Sequence, residues 1–297
     1  MNIQAIHILE GHTSAIYAMT TGANKQLLSA GGDGWIAAWD PSISGNGRLI
    51  AKTESRIFSL LFLEAENILI TGSMEGELFF IPMGIPDSVR RLKAHQGSIY
   101  KIIAIGESIV SIGGDGIISI WDPVQVKLLH QYQLSQTRLR SMSYDGALSK
   151  LYVGDHLGDV YAMDVPGFDH IEKMASRHKS AVFSMCLDHS NRRLITGGLD
   201  AQLKISTGFT EAFQSLEAHW FCVNEICLLT GTPWLATASR DKSIRIWDSE
   251  KYDLVKELSR PNFAAHQHSV NALVWYPQLQ ILCSGSDDQK IICWKIE

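Results

Sequence analysis

Residues 111–122 read SIGGDGIISIWD, and this stretch decides the fold because the chain repeats it. Three further segments share its small residues, acidic turn and terminal Trp: SAGGDGWIAAWD at 29–40, TASRDKSIRIWD at 237–248 and SGSDDQKIICWK at 284–295. Three weaker copies lie between them: TGSMEGELFFIP at 71–82, VGDHLGDVYAMD at 153–164 and TGGLDAQLKIST at 196–207. The copies follow one another at intervals of 40 to 47 residues, and a regular period of this length is typical of repeat architectures.

Each copy has the pattern of short strands. In the first copy the apolar segments AIYAM (15–19), QLLSA (26–30) and WIAAW (35–39) are separated by turn residues. Short apolar runs bounded by Gly, Asn and Asp indicate strands and hairpins. Asp33-Gly34 suits a tight turn that requires positive φ. Because each period has room for four short strands, we predict an all-β, seven-bladed β-propeller with four-stranded antiparallel blades.

The chain resembles WD-repeat proteins over essentially its whole length. The resemblance rests on paired motifs within a copy: Gly11-His12 with Trp39-Asp40, Ala94-His95 with Trp121-Asp122, and Ala218-His219 with Trp247-Asp248. In the last copy Ala265-His266 pairs with Trp294-Lys295, where Lys replaces the usual Asp. Four copies in phase, together with three degenerate ones, make this a specific resemblance.

The resemblance implies a buried polar network in which His, Ser or Thr, Asp and Trp form one hydrogen-bonded chain per blade. The matching sets are His12, Ser29, Asp33 and Trp39; His95, Ser111, Asp115 and Trp121; His219, Thr237, Asp241 and Trp247; and His266, Ser284, Asp288 and Trp294. The fifth copy keeps His178, Thr196 and Asp200 but has Ser206 in place of Trp. The second and fourth copies lose most of the set, with Thr53 and Ser135 at the His position and Glu75 and Leu157 at the Asp position. Since a Ser-His-Asp set recurs in several copies, we interpret it as structural and not as a catalytic triad.

The resemblance also implies how the ring closes. The last copy reaches Glu297 just after its third strand, and in the family an N-terminal segment supplies the missing fourth. We therefore expect residues 3–9, IQAIHIL, to pair with the last blade and cover its exposed edge. The whole chain, 1–297, is expected to be a single domain whose repeats end near Asp40, Pro82, Asp122, Asp164, Thr207, Asp248 and Lys295.

Composition excludes several classes of protein. The chain has 297 residues, 45% hydrophobic content and a net charge of −5, so nothing indicates nucleic-acid binding. No apolar run is long enough for a transmembrane helix, and the N-terminus, MNIQAIHILE, does not resemble a signal peptide. Five cysteines in a chain of this length argue against a disulfide framework and for a reducing compartment. We therefore expect a cytoplasmic protein without membrane attachment, with a monomer as the default.

One end of the ring commonly binds partners in this family, through residues three and five places after the His position and one place before the Asp position. The resemblance assigns to this end Tyr17, Arg56, Phe58, Met74, Tyr100, Arg138, Arg140, His156, Phe183, Leu199, Asn224, Arg240 and Asp287. Aromatic residues, Met and Arg are enriched at interfaces. Arginines in an otherwise acidic protein favour an acidic or phosphorylated peptide. The alternative is that the four aromatics merely pack along the channel.

These observations predict a non-catalytic scaffold or adaptor that binds peptides or protein partners, with no cofactor, metal or catalytic residue. One alternative is a propeller enzyme with a site in the central channel, for which this end offers only Asp287 and His156. Another is a structural subunit of a larger complex. Cys222 and Cys227, near His219, have a spacing that suggests zinc, but His219 is assigned to the network and no second ligand pair follows.

Overall fold

The computed structural model describes residues 1–85, 88–174, 177–207 and 213–297. The strands of these segments form seven four-stranded antiparallel sheets, and the segments contain no α-helix. A short 3-10 turn, Ala23–Lys25, connects two strands. The structure confirms the predicted all-β, seven-bladed architecture.

Blades one to four follow one another along the chain, each ordered from the channel outward. Blade one is β2 (Ile16–Thr21), β3 (Leu27–Gly31), β4 (Trp35–Trp39) and β5 (Arg48–Lys52). Blade two is β6 (Ile57–Leu63), β7 (Ile68–Ser73), β8 (Glu77–Pro82) and β9 (Arg90–Lys93). Blade three is β10 (Ile99–Ile105), β11 (Ser108–Gly113), β12 (Ile117–Asp122) and β13 (Lys127–Gln133). Blade four is β14 (Leu139–Asp145), β15 (Lys150–Asp155), β16 (Val160–Asp164) and β17 (Glu172–Lys173).

The remaining three blades complete the ring. Blade five is β18 (Val182–Asp188), β19 (Arg193–Gly198), β20 (Gln202–Ser206) and β21 (Phe213–Glu217). Blade six is β22 (Val223–Leu229), β23 (Trp234–Ser239), β24 (Ile244–Asp248) and β25 (Leu254–Leu258). Blade seven is β26 (Val270–Tyr276), β27 (Ile281–Ser286) and β28 (Lys290–Ile296), with β1 (Ile3–Glu10) as its outer strand. Each inner strand contacts the inner strand of the next blade, and β26 contacts β2, so the ring is closed.

Ring closure follows the prediction for the N-terminal segment. Strand β1 pairs antiparallel with β28, from Ile3 opposite Ile296 to Glu10 opposite Lys290. Leu9 is buried in the cluster between blades seven and one, and the Lys290 ammonium lies 2.6 Å from the Glu10 carboxylate. The first strand of the chain therefore covers an edge that would otherwise expose unpaired backbone groups.

The hydrophobic core is divided among the seams between neighbouring blades. The described residues form seven apolar clusters, and each joins two adjacent blades. The second and third strands of each blade supply most of the buried residues; β3 and β7, for example, are buried along their whole length. Because both faces of a blade pack against other blades, the strands read as continuous apolar runs.

Four blades contain the complete polar network as hydrogen bonds. In blade three the ring of His95 links the Asp115 carboxylate, at 3.0 Å, to the Ser111 hydroxyl, at 2.8 Å. The Trp121 indole donates to the same hydroxyl at 2.9 Å. Blades one, six and seven repeat the arrangement with His12, His219 and His266. In blade five His178 bonds to Asp200 and Thr196, while the Ser206 hydroxyl accepts from the Leu194 amide.

Blade four contains a replacement for this network that the comparison of repeats missed. The Ser135 hydroxyl, at the His position, donates to the carboxylate of Asp155 at 3.0 Å. Asp155 is fully buried and also accepts from the Tyr161 hydroxyl and from the amides of Leu157 and Asp159. The acid therefore lies two residues earlier than Leu157, the position that the repeats have in common.

Candidate functional site

Every inner strand carries a β-bulge at the same place, near its first residue. The pairing with the second strand shifts there in all seven blades, at Tyr17, Phe58, Tyr100, Arg140, Phe183, Asn224 and Asn271. A bulge bends its strand and redirects a side chain. All seven bulge residues line a cavity of about 330 Å³ at one end of the channel, which we call the channel mouth.

Five of the bulge residues form a continuous arc in which each side chain contacts the next. The ring of Phe58 lies between Tyr17, with centroids 5.0 Å apart and edge to face, and Tyr100, with centroids 6.1 Å apart and nearly parallel. The arc continues through Arg140, whose guanidinium carbon lies 4.3 Å from the Tyr100 ring and 4.2 Å from the Phe183 ring. The cation is therefore held between two aromatic faces, a geometry that favours a fixed orientation of its donors.

The other two bulge residues are asparagines that join blades six, seven and one. The Asn224 amide donates to the Val270 carbonyl at 2.8 Å, and the Asn271 amide donates to the Ile16 carbonyl at 2.9 Å. Asn271 also donates to the Asp287 carboxylate at 2.7 Å. The mouth thus has an aromatic and cationic side over blades one to five and an amide side over blades six and seven.

The remaining predicted residues form a rim around the mouth, where backbone hydrogen bonds join the turn after a blade's second strand to the residue before its first strand. The amides of Met74, His156, Leu199, Arg240 and Asp287 donate to the carbonyls of Arg56, Arg138, Ala181, Cys222 and Ser269, respectively. His156 is half-buried, and the other predicted rim side chains, including Arg56, Arg138 and Arg240, are exposed. The structure therefore places all thirteen predicted partner-binding residues at one end of the ring.

Sequence reasoning missed two aromatic residues at the same end. Trp220 is 81% exposed and Phe221 is 58% exposed, directly before Cys222, whose carbonyl accepts from the Arg240 amide. The amide of His219, next to Trp220, donates to the Ala201 carbonyl in the turn that carries Leu199. The other blades have no Trp, Phe or Tyr at these two positions, and that difference is visible in the sequence.

An ion pair spans the channel within the same cavity. The Lys101 ammonium, in blade three, lies 3.9 Å from the Glu225 carboxylate, in blade six. Each of the two residues follows a bulge residue, and both line the cavity. These charges were also absent from the predicted site.

The network residues are enclosed within their blades. Ser29, Ser111, Thr237 and Ser284 are fully buried, and their histidines are at most 6% exposed. A substrate therefore cannot reach the hydroxyl groups that resemble nucleophiles.

The cysteines do not resemble metal ligands. The Cys222 thiol is buried and donates to the Asn224 side-chain carbonyl at 3.1 Å. Burial raises the pKa of Cys222 to about 12, which favours the thiol over the metal-binding thiolate. All five cysteines are free.

Among the described residues, one group has side chains close enough together to hold a metal ion: Asp164, Asp169 and His170. This group lies at the end of the ring opposite the mouth, and Asp164 forms an ion pair with Lys150 at 2.8 Å. The described residues include no helix that is both long and apolar enough to cross a membrane.

Comparison with known proteins identifies the repeat. The family model described as WD domain, G-beta repeat, matches residues 3–40, 172–205, 211–248 and 258–295. A crystal structure of the WD40 β-propeller domain of Doa1 superimposes with a TM-score of 0.87 at 16% identity, covering 100% of this chain and 97% of that chain. At that identity the likeness shows the fold alone.

Curated relatives share the repeat over much of the chain. WD repeat-containing protein 90 of Xenopus tropicalis is 28% identical over 70% of this chain and 12% of its own length. A guanine nucleotide-binding protein subunit beta of Nicotiana tabacum is 25% identical over 67% of this chain and 56% of its own. Nuclear distribution protein nudF 1 of Talaromyces marneffei is 25% identical over 91% of this chain and 56% of its own.

The chain spans at most 56% of the length of these three relatives. The same repeat is indicated by the family model, by the ring of seven blades and by these relatives. The chain belongs to the WD-repeat family, and its repeats form a seven-bladed β-propeller.

Proposed function

We propose that this protein is a non-catalytic interaction scaffold that binds an acidic or phosphorylated segment of a partner protein across the channel mouth. The observation that carries the proposal is the Arg140 guanidinium, held between Tyr100 and Phe183 at the mouth. A positioned guanidinium loses little freedom when it binds a carboxylate or phosphate, and such hydrogen bonds are among the stronger ones in proteins.

The charge distribution supports an anionic ligand. Four arginines lie at the mouth and its rim: Arg56, Arg138, Arg140 and Arg240. The one acid in the predicted set, Asp287, accepts a hydrogen bond from Asn271. The chain as a whole has a net charge of −5, whereas the predicted set at this end has four arginines and one acid. Such a local field attracts acidic partners and accelerates their association.

Exposed apolar side chains support a protein partner over a small molecule. Leu199, Trp220 and Phe221 project from the rim over blades five and six, beside Arg240. Trp and Arg are the residues most often found as energetic hot spots of interfaces. A macromolecular ligand lying across the mouth would contact both Arg140 and this apolar group. Of these two, a ligand confined to the cavity would reach Arg140 alone.

The geometry favours binding over catalysis. His156 belongs to blade four and Asp287 to blade seven, so the one imidazole and the one carboxylate of the predicted set lie in non-adjacent blades. The charges inside the channel, on Lys101 and Glu225, are paired with each other. General acid–base chemistry needs such groups within hydrogen-bond reach of one reacting atom. Five free thiols support our placing the protein in the cytoplasm.

The test is affinity purification from cells that naturally produce the protein, followed by mass spectrometry. A variant with Arg56, Arg138, Arg140 and Arg240 all changed to Ala should lose the partners captured by the wild type. The matched control removes four exposed positive charges away from the mouth: Arg48, Lys127, Arg192 and Lys251 to Ala. The control should capture the wild-type partners. Equal capture by both variants and the wild type would show that another surface is used.

A further inference from the structure

Blade four carries three nitrogen-rich side chains at the mouth without an acid to neutralise them. Arg138 and Arg140 flank the first residue of β14, and the His156 amide donates to the Arg138 carbonyl at 2.8 Å. In the described part of the chain, no carboxylate forms an ion pair with either guanidinium. The positive charges of Arg138 and Arg140 are therefore not neutralised by an acid in contact with them.

The acid next to His156 in the chain has other hydrogen-bond partners. Asp155 precedes His156 in the chain, but its carboxylate is fully buried and accepts hydrogen bonds from Ser135, Tyr161 and the amides of Leu157 and Asp159. All four donors lie within blade four or its connection from blade three. Asp155 thus supports the blade and has little capacity left to pair with the arginines.

Two buried nitrogen atoms of this cluster lack hydrogen-bond partners. They are Nε of Arg140 and Nδ1 of His156. Buried polar atoms without a partner are uncommon, and each needs an explanation, such as a bound ion or a functional role. Burial and the charges of Arg140 and Arg138 also lower the pKa of His156, which shows that the three groups influence one another.

From this arrangement we propose that Arg138, Arg140 and His156 form a subsite for a phosphomonoester, and that the ligand is a phosphorylated serine or threonine of the partner protein. The inference rests on the proposed function and specifies its ligand. A phosphomonoester carries a charge of about −1.5 to −2 and three acceptor oxygens, whereas a carboxylate carries one charge and two oxygens. Two guanidinium groups and an imidazole match the phosphate in both charge and number of donors.

The stacking of Arg140 explains why this subsite belongs to blade four. Tyr100 and Phe183 come from the blades on either side and hold the guanidinium between them. Its carbon lies 4.3 Å from the centroid of the Tyr100 ring and 4.2 Å from that of the Phe183 ring. In blade two, Arg56 occupies the position that corresponds to Arg138, but Phe58 and Met74 stand where blade four has Arg140 and His156. Blade two therefore offers one flexible cation, and blade four offers a cluster with one member already ordered.

The experiment is an NMR titration of the full chain, observing the histidine ring resonances. The probes are three pentapeptides that are glycine except at the centre, which is phosphoserine, serine or glutamate. The His156 ring resonances, assigned by their loss in the His156→Gln variant, should shift with the phosphoserine peptide. Binding of the serine and glutamate peptides should be at least about tenfold weaker.

Arg138 is exposed and His156 is half-buried, so substitutions at these two positions should leave the fold intact. Arg138→Gln and His156→Gln should each weaken binding of the phosphoserine peptide by about tenfold. Lys179→Gln, which removes an exposed positive charge at the same end of blade five, should change it less than about twofold. Absence of binding to the wild type, equal binding of the glutamate peptide, or unchanged binding in both variants would overturn the inference. The proposed function would survive that failure if the four-arginine variant still lost its partners.

Discussion

The ring of His95 lies 3.0 Å from the Asp115 carboxylate, and this contact joins the segment before the first strand of blade three to its hairpin turn. Asp115 also accepts from the backbone amides of Gln96 and Ile117. One carboxylate thus accepts from three donors and holds the two segments of the blade together.

Removing this carboxylate should destabilise the fold. In Asp115→Ala the three donors lose their acceptor, and we expect the free energy of unfolding to fall by about 1–3 kcal/mol or more. Urea denaturation of the purified protein measures the change. The control is Glu75→Ala, at the corresponding position of blade two, where the side chain is exposed and outside the network. Equal stability of the two variants would contradict the structural role.

The network also predicts a dependence of stability on pH. Burial opposes ionisation of Asp288, but the hydrogen bond from His266 and the amides of Gln267 and Lys290 outweigh it and lower the pKa of Asp288 to about 2. Because the ordinary value is 3.8, the folded state gains stability above that pH and loses it as the pH falls toward the folded pKa. The melting temperature of Asp288→Asn should lie below that of the wild type at neutral pH, and the gap should narrow below about pH 4. A gap that stays constant down to about pH 2 would contradict this assignment.

The N-terminal strand should be essential for closure. Deleting residues 2–10 removes β1, uncovers the edge of β28 and takes Leu9 out of the core. We expect a lower melting temperature and aggregation through the exposed edge, measured by calorimetry and light scattering. Gln4→Ala, an exposed change within the same strand, should leave both unchanged. A truncated protein that melts at the wild-type temperature would show that β1 does not support the ring.

The exposed aromatic pair predicts a loss of binding without a loss of stability. Changing Trp220 and Phe221 to Ser removes two side chains that are 81% and 58% exposed, so the melting temperature should stay near that of the wild type. Affinity for the captured partner, measured by surface plasmon resonance, should fall at least about tenfold.

A matched control for this variant exists in the same blade. Leu254 and Val255 are consecutive apolar residues of the outer strand β25, and they are 48% and 42% exposed. Changing both to Ser should leave the affinity unchanged. If the control weakens binding as much as the Trp220 and Phe221 variant, the partner does not select the mouth.

The fold was predictable because the repeat is local and regular. The period, the Asp-Gly turns and the paired His and Trp positions of blades one, three, six and seven are readable in the chain. At Gly34, φ is +69°, and a Cβ atom there would lie 2.2 Å from the Thr53 carbonyl oxygen. The turn conformation and the packing of the next segment therefore both require glycine at this position. Because local and global structure favour the same residues, the repeats can be recognised in the sequence.

The parts that could not be predicted depend on a departure from the common repeat or on contacts between repeats. The Ser135–Asp155 bond of blade four was missed because its acid stands outside the common alignment. The stacking of Arg140 involves three blades, and the Lys101–Glu225 pair spans the channel. Spacing within one repeat carries no information about distances across a closed ring.

Site-specific photo-crosslinking tests the central claim, that partners bind at the channel mouth, most directly. A photoreactive benzoylphenylalanine is placed at Leu199 on the rim, at Val124 at the opposite end, or at Leu254 on the outer side, all of which are exposed. We predict that the partner crosslinks from Leu199 and not from the other two positions. Crosslinking from Val124 or Leu254, with none from Leu199, would contradict the account.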